Sequence, residues 1–132
     1  MQLYLVRHAE AAPGHPDEHR QLTEAGKLAA RALGMRLRAI GARPAIVMSS
    51  PLRRSWETAA ALAIALNVET VEDERLRPGM TIEQLKDAIR DRGESLVVVG
   101  HEPDCSKIVA GVTGSPPQVF APASMVVMYL NP

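Results

Sequence analysis

Two histidines and a group of arginines stand where short apolar runs end. Arg7 and His8 follow the first run, His101 follows a later one after a single glycine, and Arg54 lies shortly after a third. The three runs cover residues 3–6, 96–99 and 45–48. In an open parallel sheet the carboxyl ends of the strands face one crevice, where ligands bind. Three distant segments can therefore deliver two imidazoles and several guanidiniums to one place, a combination that suits a phosphoryl group.

A phosphoryl group in transfer spreads negative charge over its oxygens, which fixed positive donors stabilise. Arginine presents planar, permanently charged donors to two oxygens at once, so we expect Arg7 and one arginine of the pair Arg53 and Arg54 to clamp the group. Free amides at a helix start near Pro51 would assist. Arg53 stands four residues before Glu57 and fits a surface ion pair, so Arg54 is the predicted ligand.

Two further residues could each take part in the reaction or have only a structural role. Arg20 lies in a loop between the first strand and a helix, where it either reaches the same anion or is solvated. Glu10, two residues beyond His8, either donates a proton or orients a basic neighbour.

Two other kinds of site are considered and set aside. A catalytic cysteine at Cys105 would need an arginine six positions later to cradle an anion, but that position is Gly111, so Cys105 is predicted to pack within a helix. His15 and His19 have a helical ligand spacing, but Pro16 disrupts a helix there and no ligand cluster accompanies them. We expect no metal site.

Helical patterns separate the strands. A helix is predicted from Thr23 to about Gly41, and a second one from Ser50 as N-cap and Pro51 as first residue to Leu66. The apolar positions expected to bury the first helix are Leu28, Ala32, Met35 and Leu37.

The remaining pattern predicts strand 68–71, a helix capped by Thr81 and ended by Gly93, a helix from residues 102–104 to about Val112, and a last strand at 125–130. One face of the helix after Thr81 carries Ile82, Leu85, Ala88 and Ile89. Strands alternating with helices argue for an α/β fold with helices on both faces of the sheet.

Composition narrows the function classes. The 132 residues fit one domain, 1–132, and 15 basic residues balance 15 acidic ones, so no global field favours nucleic acid or an anionic membrane. No apolar stretch reaches the length of a membrane helix. One cysteine and no apparent secretory signal lead us to expect a cytoplasmic protein, and nothing indicates more than a monomer or weak oligomer.

Four blocks, in this order, resemble the histidine phosphatase superfamily, also called phosphoglycerate mutase-like. They are Leu5-Val6-Arg7-His8-Ala9-Glu10-Ala11, Leu22-Thr23-Glu24-Ala25-Gly26, Ser49-Ser50-Pro51-Leu52-Arg53-Arg54-Ser55-Trp56-Glu57-Thr58-Ala59 and Val98-Val99-Gly100-His101-Glu102-Pro103. The short chain, the acidic Glu10 and the segment Arg20-Gln21-Leu22-Thr23 resemble the SixA-type phosphohistidine phosphatases in particular.

The resemblance implies roles and a fold. His8 would be the phosphorylated nucleophile, Arg7 and Arg54 would bind the phosphoryl group, His101 would donate to its oxygens, and Arg20 would be a further contact. The fold would be a three-layer α/β/α sandwich, its sheet mostly parallel with one antiparallel strand, for which residues 125–130 are the candidate. No metal or organic cofactor is implied.

The chain departs from the family pattern at one consequential position. Mutases and many small-molecule phosphatases of the superfamily carry a proton-donating glutamate after the third strand, where this chain has Pro78. An alkoxide leaving group needs that proton, whereas an imidazole leaves readily. Another departure is Ala9 in place of a common glycine, which predicts a backbone without positive φ.

We therefore expect a phosphatase for phosphohistidine on a protein, with the phosphoryl group passing through His8. The alternatives are a phosphomonoesterase for a small phosphorylated molecule, with Glu10 or Glu74 as acid, and a non-catalytic module that binds phospho-ligands. Nearby arginines disfavour the imidazolium form of His8, so activity is expected to fall in acid, between about pH 8 and 5.

Overall fold

The computed structural model describes residues 1–132 and has the predicted order of strands and helices. The strands are Gln2–Arg7 (β1), Ile46–Ser49 (β2), Glu69–Glu72 (β3), Ser95–Gly100 (β4) and Met125–Tyr129 (β5). The helices are Glu24–Ala39 (α1), Arg53–Leu66 (α2), Ile82–Ile89 (α3) and Asp104–Thr113 (α4). Short 3-10 helices lie at Asp17–His19 and Glu74–Leu76.

One five-stranded sheet runs through the molecule in the order β3-β2-β4-β1-β5. The neighbours β3, β2, β4 and β1 are parallel, and β5 is antiparallel to β1. The predicted mixed sheet with a final antiparallel strand is therefore confirmed. No helix is long and apolar enough to cross a lipid bilayer.

The apolar strands are buried because helices cover both faces of the sheet. Leu3 and Leu5 of β1 pack in a core with side chains of α3 and α4, whereas Tyr4 and Val6 pack in a second core with α1 and α2. Successive side chains of a strand point to opposite faces, which divides β1 between the two cores. The result is the expected three-layer α/β/α sandwich.

The buried face of α1 differs from the predicted one. Leu28 and Met35 are 63% and 58% exposed, and Ala32 is exposed as well. The residues that α1 buries are Gly26, Ala30, Leu33, Gly34 and Leu37. Two of them are glycines, which give no hydrophobic signal but let the helix lie close to its neighbours.

Gly26 allows α1 to lie against the chain just after His8. A Cβ atom at this position would lie 2.1 Å from the carbonyl oxygen of Glu10, a backbone atom that cannot swing aside. The same stretch is joined to the start of α1 by a hydrogen bond from Thr23 N to the Glu10 carbonyl at 3.0 Å. The glycine therefore helps to fix the segment that carries His8.

The substitution Gly26→Ala is expected to lower the free energy of unfolding by about 1–3 kcal/mol, because a methyl group is forced into a filled space. Gly111→Ala is the matched control, since Gly111 also lies inside a helix but has nothing within 4 Å of an added Cβ. It is expected to be neutral or to stabilise by about 0.5–1 kcal/mol. Urea denaturation measures both, and equal effects would contradict the explanation.

Candidate active site

Three strands deliver the predicted residues to one end of the sheet. Arg7 is the last residue of β1, His8 follows it, His101 follows β4, and Arg54 lies in the first turn of α2, which begins shortly after β2. The imidazole centroids of His8 and His101 are 5.3 Å apart, with the rings tilted by 58°. The two histidines, 93 positions apart in the sequence, therefore meet as expected.

The ring of His8 is oriented by the backbone that follows it. Nδ1 lies 2.7 Å from the carbonyl oxygen of Ala9, and a carbonyl can only accept, so Nδ1 carries the hydrogen. Nε2 is then left without a proton and with a lone pair. Ala9 is itself fixed, because its amide donates to Thr58 Oγ1 at 3.1 Å and it has no positive φ, as predicted.

Both histidines are held in the neutral form. The pKa of His8 is lowered to about 4, mainly by burial; the hydrogen bond to Ala9 opposes this shift, and the charges of Arg54, Arg7 and Arg20 each add a smaller lowering. Burial also lowers the pKa of His101, to about 3. The arginines, expected from the sequence to be the cause, contribute less to the pKa of His8 than desolvation does.

The acid loss of activity is consequently expected near pH 4, below the range of pH 5 to 8 inferred from the sequence. The value of kcat/KM for an aryl phosphate, which reports the free enzyme, should stay level from pH 8 to 5 and halve near pH 4, where His8 becomes protonated. Stability also declines as the pH falls from about 6.5, since unfolded histidines take up protons that the folded ones refuse. Circular dichroism at each pH separates the two effects, and a kcat/KM midpoint at pH 6 to 7 would contradict the assignment.

His101 is held by two serines that the sequence argument did not assign to the site. Its Nε2 lies 2.7 Å from Ser50 Oγ and 3.2 Å from Ser55 Oγ, and all three residues are buried. Ser50 was predicted to be the N-cap of α2. The helix instead begins at Arg53, with Leu52 as N-cap, and the amide of Leu52 donates to Ser50 Oγ at 3.3 Å. The only sequence signal for this role was a polar residue directly after a buried strand.

Two buried polar atoms at this end of the sheet have no hydrogen-bond partner, namely Arg7 Nε and His101 Nδ1. The guanidinium group of Arg7 is held at its Nη1 atom, which donates a hydrogen bond to the carbonyl of Phe120 at 2.7 Å. A neutral His101 whose Nε2 accepts from a serine hydroxyl carries its hydrogen on Nδ1. Buried donors without a partner are costly, and these two lie at the end of the sheet where the two histidines meet.

The neighbours Arg53 and Arg54 point in different directions, as predicted: Arg53 pairs with Glu57, and Arg54 is buried. Arg53 donates to Glu57 at 3.2 Å and lies over the ring of Trp56, with 41% of its side chain exposed. The side chain of Arg54 is only 8% exposed and bonds to Asp17.

Arg20 is half-buried. Its Nε donates to the carbonyl of Ala12 at 2.9 Å and its Nη1 donates to Asp17 at 3.0 Å. Because Asp17 also binds Arg54, the guanidinium groups of Arg20 and Arg54 lie on the same carboxylate.

The candidate acids are engaged elsewhere. The carboxylate of Glu10 is exposed and accepts from the hydroxyl of Thr23 at 2.7 Å, next to the start of α1. Glu74 is exposed and pairs with Arg77. Neither carboxylate hydrogen-bonds to His8 or to any arginine predicted to bind phosphate. Cys105 is buried, as predicted, and burial raises the pKa of its thiol.

The family model of the histidine phosphatase superfamily, branch 1, matches residues 3–92. This chain belongs to that superfamily. The matched span includes Arg7, His8 and Arg54, and membership supports phosphatase activity. His101 lies beyond the matched span but reaches His8 through the pairing of β1 with β4. No curated protein sequence matches the chain.

Solved structures of histidine phosphatases share the fold. The protein histidine phosphatase SixA complexed with tungstate is 24% identical with a TM-score of 0.89, covering 99% of this chain and 89% of that one. A candidate phosphohistidine phosphatase SixA from Agrobacterium tumefaciens is 27% identical with a TM-score of 0.84, covering 96% and 89%. Mycobacterial glucosyl-3-phosphoglycerate phosphatase is 17% identical with a TM-score of 0.72, covering 96% and 88%.

Proposed function

We propose that the protein hydrolyses phosphohistidine on a phosphorylated protein, through an intermediate in which His8 carries the phosphoryl group. The observation that carries this proposal is the pair of facing imidazoles, 5.3 Å apart, in which Nε2 of His8 is free and no carboxylic acid bonds to either ring. The proposed stabilisers of the transferring charge are Arg7, Arg20, Arg54 and His101.

In the first step Nε2 of His8 attacks phosphorus. A new N–P bond forms as the N–P bond to the substrate ring breaks, and the bonding pair stays on the substrate nitrogen. The substrate ring carries a proton on its other nitrogen, so it leaves as neutral imidazole. The attacking and leaving groups are both imidazoles, so the exchange is nearly balanced and needs no strong acid. The bond from His8 Nδ1 to the Ala9 carbonyl at 2.7 Å supports the positive charge that the ring then acquires.

In the second step water attacks the phosphorylated His8. The oxygen of water bonds to phosphorus, the N–P bond breaks, and its electron pair returns to Nε2, so His8 is regenerated with its hydrogen still on Nδ1. The proton that water loses goes to solvent or to the phosphate. Glu10, the nearest acidic residue in the sequence and the candidate named there for proton transfer, bonds to Thr23, so no carboxylate takes part in this step.

Two observations favour a protein substrate over a small phosphate ester. The carboxylates of Glu10 and Glu74 are bonded elsewhere, which leaves an alkoxide without an acid. The similar structure from Agrobacterium tumefaciens carries the name phosphohistidine phosphatase.

The test compares kcat/KM for three substrates: a protein phosphorylated on histidine, an aryl phosphate and a sugar phosphate. Phosphohistidine is expected to exceed the sugar phosphate by at least about 100-fold, the lower range of what general acid catalysis contributes to an ester. His8→Ala protein, prepared in parallel, measures contaminating phosphatase.

Each outcome distinguishes the candidate functions. Equal turnover of the sugar phosphate would favour the small-molecule phosphomonoesterase. Tight phosphate binding without turnover of any of the three substrates would indicate a binding module instead.

A further inference from the structure

The carboxylate of Asp17 joins two of the arginines proposed to hold the phosphoryl group. Oδ2 accepts a hydrogen bond from Arg54 Nη2 at 3.1 Å, and Oδ1 accepts one from Arg20 Nη1 at 3.0 Å. The backbone carbonyl of Asp17 accepts a further bond from Arg54 Nη1 at 2.9 Å. One residue of a short 3-10 helix thus fixes two guanidinium groups that come from different parts of the chain.

These arginines need an opposing charge. Arg7, Arg20 and Arg54 all act on the pKa of His8, so three guanidiniums are close to the same ring. Without an anion such like charges repel one another, and long side chains gain entropy by leaving an ordered position. The carboxylate of Asp17 opposes both effects at two of the three arginines. Its pKa is lowered, first by the hydrogen bond from Arg20, so it stays ionised at neutral pH.

Both arginines keep donors for a phosphoryl group while they bind Asp17. A guanidinium has five N–H donors, and Asp17 uses two of those on Arg54. Arg20 gives one donor to Asp17 and one to the carbonyl of Ala12. The geometry therefore favours support of the arginines over competition with the substrate for them.

The neighbouring Glu18 provides an internal comparison. It lies in the same 3-10 helix, but its carboxylate accepts from Arg77 at 3.0 Å and contacts neither Arg20 nor Arg54. Glu18 therefore shares the local backbone of Asp17 and not its contacts.

We propose that Asp17 is a positioning residue, which holds Arg20 and Arg54 at a fixed spacing before the phosphoryl group arrives. This inference rests on the proposed function and extends it to a residue outside the four family-like blocks. Preoriented donors stabilise a transition state without reorganising during the reaction. The effect of Asp17 is accordingly expected on both the binding of phosphate and the rate.

The experiment measures the dissociation constant of inorganic phosphate and the kcat for an aryl phosphate. Asp17→Ala is expected to weaken phosphate binding about 10-fold and to lower kcat about 10-fold as well. Asp17→Asn keeps one acceptor oxygen without the charge and should fall between the wild type and Asp17→Ala. The matched control Glu18→Gln should behave as the wild type does.

A double-mutant cycle adds a result that a merely structural role would not give. In an Arg20→Ala background the effect of Asp17→Ala on phosphate binding should shrink at least about threefold, because one of its two partners is absent. Full additivity would overturn the proposal.

The other outcomes are also decisive. Tighter phosphate binding in Asp17→Ala would show that the carboxylate competes with the anion, which overturns the positioning role, as would unchanged binding and rate. An equal loss in Glu18→Gln would assign the effect to the loop and overturn it too. A wild-type protein that neither binds phosphate nor turns over would instead refute the proposed function itself.

Discussion

Replacing His8 by alanine is expected to abolish turnover and covalent labelling of the protein together. The attacking atom is Nε2 of this residue, left free because Nδ1 is bonded to the Ala9 carbonyl. Cys105 cannot take over, since burial raises the pKa of its thiol and keeps it protonated. Loss of a catalytic nucleophile lowers kcat on the order of 10⁴-fold or more.

Rapid-quench labelling with a ³²P-phosphohistidine protein checks both effects. The wild type should carry an acid-labile label within one turnover, and the His8→Ala protein should carry none. His15→Ala is the matched control, because His15 is an exposed loop histidine outside the proposed site. Labelled His8→Ala protein, or turnover above about 1% of the wild-type value, would refute the covalent mechanism.

The layered fold could be predicted because its central strands are short, continuous runs of apolar residues. The four residues from Leu3 to Val6 are apolar and nearly fully buried, as only a strand with helices on both sides can be. Thr81 was a sound helix signal as well, and forms a capping box with Gln84. The antiparallel position of β5 followed from family resemblance and not from the residues themselves.

The orientation of α1 could not be predicted from hydrophobicity. Leu28 and Met35 are the larger apolar side chains, yet they are exposed, and Gly26 and Gly34 face the neighbouring elements. An alanine side chain at Gly34 would meet Ala65 Cβ at 2.8 Å. Close helix packing selects for the absence of a side chain, which a pattern of apolar residues does not register.

The site was predictable where a residue follows directly from a strand or helix end. His8 and His101 lie immediately after β1 and β4, and the parallel pairing of those strands brings them together. The contact between Ser50 and His101 spans 51 positions, and that between Asp17 and Arg54 spans 37. Such contacts depend on the path of a loop and on side-chain rotamers, which local sequence does not determine.

The neighbours Arg53 and Arg54 give the sharpest test of the proposed phosphate clamp. Arg54→Ala is expected to lower kcat/KM by about 10²–10³-fold, the usual cost of removing one fixed donor to a transition-state oxyanion. Arg54→Lys keeps the charge but loses the planar pair of donors, so it should recover only part of that loss. Steady-state kinetics with an aryl phosphate measures all three proteins.

Arg53→Ala is the matched control, since it removes the same side chain from the adjacent position of the same helix. The Arg53 side chain is 41% exposed, and a partly exposed ion pair such as the one with Glu57 contributes about 1 kcal/mol or less to stability. Activity should therefore stay within about twofold of the wild type. Because both substitutions delete one positive charge, a general electrostatic effect would lower activity in both. A loss confined to Arg54→Ala would show that the buried orientation of that guanidinium, and not net charge, is what the reaction requires.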